Sequence, residues 1–88
     1  MRTEATAAEQ ALLDRLRSCL DEVLPAEPVP AGYDLIAGGV LDSSRFLAVF
    51  VALEDHFGIH ITGADISQDN FRTLERIARL VRAKQEAA

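Results

Sequence analysis

The chain has 88 residues, of which 49% are hydrophobic and 26% are charged, and its formal net charge is −5. This length supports one domain over residues 1–88, and the composition is that of a globular protein rather than of a disordered chain or a membrane protein. The apolar run from Phe46 to Leu53 has eight residues, far below the roughly 20 needed to span a bilayer. Glu4 and Glu9 stand where a signal peptide needs an apolar stretch. We therefore expect a cytoplasmic protein with no membrane partner.

Charge and size exclude further classes of function. Residues 1–41 carry 3 basic and 7 acidic side chains (−4), residues 42–66 carry 1 and 4 (−3), and residues 67–88 carry 5 and 3 (+2). Nucleic-acid binding needs a dominant cationic face, so the balance favours basic protein partners, which would meet an acidic surface in the first two thirds of the chain. A domain of this size also buries only about 60–65% of its unfolded surface. Little apolar area is left for an enclosed catalytic cleft, so the chain is not expected to be an enzyme.

We expect neither a disulfide bond nor a structural metal ion to stabilise the domain. The one cysteine, Cys19, excludes an internal disulfide, and no His/Cys cluster has the spacing of zinc ligands. Cys19 falls on the apolar face of the first predicted helix, which favours a small core residue over a redox group. We predict that packing alone stabilises the domain.

The first helix and a long loop occupy residues 6–41. Thr6 and Glu9 have the spacing of a capping box that begins the helix, and Pro25 is expected to end it. Its predicted buried face is Ala8, Leu12, Leu16, Cys19, Leu20, Val23 and Leu24. Residues 25–41 contain all three prolines and three of the five glycines, so we predict a packed loop. Its expected anchors on the core are Tyr33, Leu35 and Ile36.

The rest of the chain predicts a second long helix, a short one and a final one. The second helix follows Asp42 and ends at Gly58, with a predicted buried stripe of Phe46, Leu47, Val49, Phe50, Leu53 and Phe57. Residues 59–61 are expected to be an extended connector, and residues 65–70 either a short helix or a single turn. Thr73 is predicted to cap the final helix, before a fraying tail from Lys84.

The final helix is expected to turn Leu74, Ile77, Ala78, Leu80 and Val81 inward, with Arg72, Arg76 and Arg79 outward. The arginine row is interpreted as a solvated face, with a second partner contact as the alternative. The predicted fold is therefore an all-α, four-helix bundle of three long helices, one short helix and a long loop after the first helix. Its core covers about residues 7–83, and its tails are expected to be flexible.

Ser43 is the candidate functional residue. It follows Asp42 where a glycine-rich loop meets a helix, and free N–H groups and the helix dipole favour a phosphate at such a terminus. The simpler interpretation is that Asp42 or Ser43 only caps the helix, as both residue types commonly do. No base accompanies the serine in sequence. His56 and His60 are interpreted as surface groups, since Gly58 interrupts the helix that a metal-binding pair would need.

A longer pattern surrounds this serine. It consists of Leu35-Ile36, Gly39-Val40-Leu41-Asp42-Ser43, Leu53-Glu54, Phe57-Gly58-Ile59, Ile61, Asp65, Phe71, Thr73 and Ile77. The pattern resembles the acyl and peptidyl carrier proteins over about 50 residues, from Leu35 to Val81. The resemblance implies a carrier whose Ser43, with Asp42 as its motif neighbour, bears covalent 4′-phosphopantetheine derived from coenzyme A. No catalytic residue and no metal are implied.

The resemblance also implies partners. A phosphopantetheinyl transferase would modify Ser43, an acyl- or aminoacyl-activating enzyme would load the thiol as a thioester, and synthase or modifying enzymes would use the cargo. The carrier itself would be a monomer that docks through its second helix. The expected partner-binding residues are Val40, Leu41, Ser44 and Arg45.

Two positions depart from the family pattern. Ser44 stands where these carriers usually have Leu or Ile, and Arg45 where the fatty-acid carriers tend to have an acidic residue. These departures and residues 69–74 favour a freestanding carrier of polyketide or nonribosomal-peptide-type secondary metabolism. The alternatives are a housekeeping fatty-acid carrier and a small helical interaction module without a prosthetic group. A serine hydrolase is disfavoured because no base or oxyanion group can be named.

Overall fold

A computed structural model describes residues 7–87, and α-helices account for more than half of them. The helices are α1 (Ala7–Cys19), α2 (Ser43–Phe57), α3 (Gln68–Phe71) and α4 (Leu74–Ala87). One 3₁₀ turn, Gly63–Asp65, precedes α3, and the described residues contain no strand. The predicted all-α fold with three longer helices and one short helix is confirmed. The predicted capping box includes Thr6, which lies outside the described residues.

The core lies between the three longer helices, because α1 packs against both α2 and α4, and α3 packs against α4. Each longer helix contributes side chains that are less than 1% exposed, among them Leu16, Leu53 and Ile77. Leu13 is also buried, although it was not part of the predicted stripe, and Ala8 is exposed. None of the helices among residues 7–87 is long and apolar enough to cross a membrane.

Local capping signals set the ends of α2 and the start of α4. Asp42 caps α2, and Gly58 ends it with φ 65°, a left-handed conformation that glycine adopts without strain. The Thr73 hydroxyl accepts a hydrogen bond from the Arg76 N–H at 3.1 Å. The predicted stop at Gly58 and the predicted Thr73 cap are both confirmed.

The first helix is shorter than predicted. It ends at Cys19, and residues 20–24 continue as tight turns toward Pro25. Leu24 N–H still bonds to the Leu20 carbonyl at 2.9 Å, while Leu20 is only 1% exposed. The turns thus bury Leu20 and pack the partly buried Val23 and Leu24 against the core, although the periodicity of these residues predicted further helix.

The loop over residues 25–42 is packed, as predicted. Leu35 is 1% exposed, and its N–H bonds to the Arg72 carbonyl at 2.7 Å. Ile36 packs at the margin of the core. Tyr33 does not reach the core and is 40% exposed. Its ring instead covers Gly38 so closely that any Cβ there would collide with it, so the prediction of Tyr33 as a core anchor is wrong.

The segment before α4 forms two short pieces rather than one. The 3₁₀ turn ends at Asp65, and α3 begins at Gln68. The Ser67 hydroxyl caps α3 by accepting a hydrogen bond from the Asn70 N–H. Lys84 forms an ion pair with Asp65. This pairing holds the last turn of α4, which stays helical to Ala87. The sequence predicts fraying from Lys84, and the structure shows residues 84–87 as part of the helix.

The Asp65–Lys84 pair predicts a loss of stability in acid. The Lys84 ammonium, then the Thr62 N–H, lower the pKa of Asp65 below its ordinary value of 3.8. A carboxylate with a lowered folded-state pKa stabilises the fold above its unfolded-state pKa, and this contribution disappears as pH falls through the folded-state pKa. Asp65→Asn should lower the free energy of unfolding at pH 7 by at most about 1 kcal/mol, and the difference from wild type should vanish in strong acid.

Urea unfolding at pH 7 and in strong acid measures this difference. Asp55→Asn is the matched control, because Asp55 is exposed and has no ion pair within residues 7–87. If the free energy of unfolding of the Asp65 variant stays below that of wild type by the same amount in strong acid, the effect does not have an electrostatic origin.

Candidate functional site

Ser43 is the first residue of α2 and is exposed. Asp42 takes the capping role, since its Oδ1 accepts a hydrogen bond from the Arg45 N–H at 3.0 Å. Within residues 7–87 the Ser43 hydroxyl has no hydrogen-bond partner. The capping interpretation therefore holds for Asp42 and not for Ser43, whose hydroxyl is left accessible at a helix N-terminus.

The loop before α2 holds Ser43 through backbone contacts with the core. The N–H groups of Val40 and Leu41 both bond to the carbonyl of buried Leu35, at 2.9 and 3.0 Å. Gly39 adopts φ 77° at this reversal, a conformation that favours glycine. The end of the loop, and with it the start of α2, is thus fixed to the interior of the bundle.

Arg45 places a positive charge beside the serine. Its guanidinium lies 3.9 Å from the Asp42 carboxylate and donates a hydrogen bond to the Val40 carbonyl at 3.4 Å. The side chain is half exposed, so both contacts are weak and reversible in water. The positive charge of Arg45 is therefore presented at the surface of the domain.

The four predicted partner-binding residues differ in exposure. Ser44 and Arg45 are exposed, and Val40 is half-buried. Leu41 is only 5% exposed and belongs to the hydrophobic core. Its predicted role as a contact residue is not supported by this placement, because its side chain is used to pack the loop against the bundle.

The outward face of α2 carries an apolar pair that the sequence analysis missed. Leu47 is 65% and Val51 is 55% exposed, so the prediction of Leu47 in the buried stripe is wrong. Phe46 and Phe50 of that stripe are half-buried, whereas Val49 is fully buried. Residues four apart share a helix face, so Ser43, Leu47 and Val51 form one line, which we call the Ser43 stripe. The sequence signal for this line is the spacing of four residues between Ser43, Leu47 and Val51.

Neither histidine can act on Ser43. His56 is thirteen residues along the same helix, which places it about 20 Å from Ser43 at 1.5 Å per residue. Its ring packs edge-on against Phe57. His60 lies beyond Gly58, is 87% exposed and sits 3.6 Å from Glu54. Both are surface groups on either side of the helix end, as predicted.

Cys19 lies at the margin of the core. It is half-buried, and its thiol donates a hydrogen bond to the Ala52 carbonyl at 3.4 Å. Burial raises the pKa of this thiol above its ordinary value, which disfavours the reactive thiolate. The packing role predicted for Cys19 fits this position. No group of three or more His, Cys, Asp or Glu within residues 7–87 could hold a metal ion.

The predicted arginine row is not one uniform solvated face. Arg72 is half-buried and pairs with Asp34 at 3.3 Å and with Asp69 at 3.6 Å. The Ala37 N–H and then the Arg72 side chain contribute to a lowered pKa of Asp34. Arg72 therefore connects to the loop over residues 25–42 through Asp34, while Arg76 and Arg79 remain exposed.

Comparisons with known proteins do not identify the chain. No protein-family model matches it, and no curated protein matches it.

Proposed function

We propose that this protein is a carrier protein, with 4′-phosphopantetheine attached covalently to Ser43. The observation that carries the proposal is the exposed, unpaired Ser43 hydroxyl directly after the capping Asp42. The resemblance of the surrounding pattern to acyl and peptidyl carrier proteins supports it. When bound, the group supplies a thiol that can hold an acyl or aminoacyl cargo as a thioester.

The residues at the start of α2 fit a phosphodiester. An α-helix leaves the N–H groups of its first turn without intrahelical partners, and the Asp42 cap takes only that of Arg45. The N–H groups of Ser43 and Ser44 lie at this positive end of the helix, where an anion is stabilised. The Arg45 guanidinium adds a nearby positive charge. These groups would stabilise a phosphate on the serine oxygen.

The missing base favours a carrier over a hydrolase. A serine nucleophile needs a general base within hydrogen-bond reach, and His56 is about 20 Å away along α2. In a carrier the partner enzymes provide the chemistry, while this chain holds the attachment point. A phosphopantetheinyl transferase would modify Ser43, and an acyl- or aminoacyl-activating enzyme would load the product.

The Ser43 stripe offers these enzymes a surface beside the attachment point. Leu47 and Val51 present exposed apolar area, while Ser44 and Arg45 present polar groups at the same end of α2. Apolar contacts supply binding energy, and charges at the rim set association rate and partner choice. Arg45 disfavours cationic partner surfaces, which supports a role in polyketide or nonribosomal-peptide-type metabolism over housekeeping fatty-acid synthesis.

Intact mass measurement tests the proposal. The protein is incubated with coenzyme A and a broad-specificity phosphopantetheinyl transferase, and the expected result is the mass gain of one phosphopantetheine group per chain. An unchanged mass, with an authentic carrier protein modified in parallel, would favour the alternative of a helical interaction module that binds through Leu47 and Val51.

The charge of Arg45 predicts partner choice without an effect on folding. Arg45→Asp should slow loading by the cognate activating enzyme severalfold and improve use by fatty-acid synthase enzymes. The reason is that the variant presents a negative charge to the surfaces of these enzymes in place of a positive one. The melting temperature should change little, since the Arg45 side chain is half exposed. Loading rates at low and moderate salt measure the effect, which salt should shrink. Equal rates for wild type and variant would show that recognition lies elsewhere.

A further inference from the structure

A second surface lies between α3 and α4 and shares no residue with the Ser43 stripe. It is an open groove of about 190 Å³, lined by Asp69, Asn70, Arg76, Arg79, Leu80 and Ala83. We call it the α3–α4 groove. Its residues belong to the segment 67–88, which carries a charge of +2 in a chain of net charge −5.

Two arginines of this groove are not neutralised by the fold. Arg76 and Arg79 are exposed, lie one helical turn apart, and form no ion pair within residues 7–87. Their neighbours on the chain are paired, Arg72 with Asp34 and Arg82 with Glu9. Asp69, on the opposite wall, lies 3.6 Å from Arg72. The groove thus holds one exposed carboxylate, which shares Arg72 with Asp34, and two arginines that have no ion pair among residues 7–87.

The groove is also partly apolar. Leu80 is half-buried at the margin of the core, and Ala83 is exposed one turn from Arg79. The Asn70 side chain donates its hydrogen bond to the Asp65 carbonyl at 2.8 Å, so it stiffens the wall of the groove. A ligand that fits would combine carboxylates with an apolar side chain.

We propose that the α3–α4 groove is an interaction surface for an acidic segment of a partner protein. Carboxylates of the segment would pair with Arg76 and Arg79, while an apolar side chain would lie on Leu80 and Ala83. An open groove suits an extended segment better than a small anion, which binds in enclosed sites. A nucleic acid would be repelled by the net charge of −5. The surface does not depend on modification of Ser43.

A titration followed by ¹H–¹⁵N NMR tests this assignment on the full chain. The probe is a short synthetic peptide of glutamate and leucine, and the control peptide has lysine in place of glutamate. The acidic peptide should shift the amide signals of Asn70 and of residues 76–83, and binding should weaken with salt. The lysine peptide should leave these amide signals unshifted, because any contact it makes with the acidic residues 1–66 lies outside the groove. Ser43→Ala should bind like wild type, which keeps this result separate from the carrier proposal.

Charge-matched variants locate the contact. Arg76→Gln and Arg79→Gln should each weaken binding about two- to fivefold, the range of an exposed ion pair. Arg45→Gln removes the same charge from α2 and should leave the affinity within error of wild type. Equal weakening by all three variants, shifts centred on α2, or no binding would overturn the proposal. The same amides shifting with protein concentration alone would identify a second copy as the occupant and also overturn it.

Discussion

Ser43→Ala is expected to abolish attachment of 4′-phosphopantetheine, whereas Ser44→Ala should retain it. The two serines are adjacent and both exposed, so accessibility alone does not separate them. Ser43 directly follows the capping Asp42 and is the first residue of α2, while Ser44 lies one residue further into the helix. The position after the aspartate matches the carrier motif. Intact mass after incubation with coenzyme A and a transferase measures both variants.

The two serine variants control for each other. Neither side chain belongs to the hydrophobic core, so both variants should give wild-type helical signals and melting temperatures. Loss of modification in Ser43→Ala would then report the attachment site and not unfolding. Modification that persists in Ser43→Ala and vanishes in Ser44→Ala would move the site to Ser44. Modification of neither wild type nor variant would refute the carrier proposal itself.

Local signals predicted both ends of α2 and the start of α4. The Asp42 cap, the left-handed Gly58 and the Thr73 cap each depend on one or two neighbouring residues, which the sequence displays directly. Ser43 was therefore placed correctly at the start of α2. Its function is a separate question, because a helix terminus alone does not specify chemistry.

The outward face of α2 could not be read from periodicity. Eight consecutive uncharged residues, 46–53, occupy the middle of this helix, so apolar side chains point in nearly every direction. Only contacts with α1 and with the segment around Phe71 decide that Val49 is buried and Leu47 is 65% exposed. The apolar part of the Ser43 stripe was missed for this reason.

Pairs far apart in the chain were equally invisible to local patterns. Arg72 meets Asp34 across 38 residues, and Lys84 meets Asp65 across 19. The first pair withdraws one arginine from the predicted row, and the second connects the last turn of α4 to the 3₁₀ turn before α3. Both contacts follow from how the loop packs against the segment between α3 and α4 and the 3₁₀ turn packs against α4, which no spacing within a single segment indicates.

Phe71→Ala should be among the most destabilising substitutions in this domain. Phe71 is fully buried, and its ring lies 5.8 Å from that of Phe46 and 5.1 Å from that of Phe50, measured between centroids. Removing a buried phenylalanine costs about 3–5 kcal/mol, a large part of the roughly 5–15 kcal/mol that stabilises a domain. The short α3 has only four residues, so it depends on this side chain to stay docked.

Phe50→Ala tests whether the loss of stability follows the burial of the phenylalanine that is removed. The apolar stripe of α2 predicts that Phe50 is buried beside Leu53, yet only Leu53 is fully buried, and Phe50 is half-buried. Its truncation should therefore cost clearly less than that of Phe71, because less apolar area returns to water. Urea unfolding monitored by circular dichroism measures both, and Phe71→Leu keeps the comparison usable if Phe71→Ala does not fold. A Phe71→Leu variant as stable as wild type, together with a larger loss for Phe50→Ala, would contradict the central position of Phe71 in the aromatic cluster.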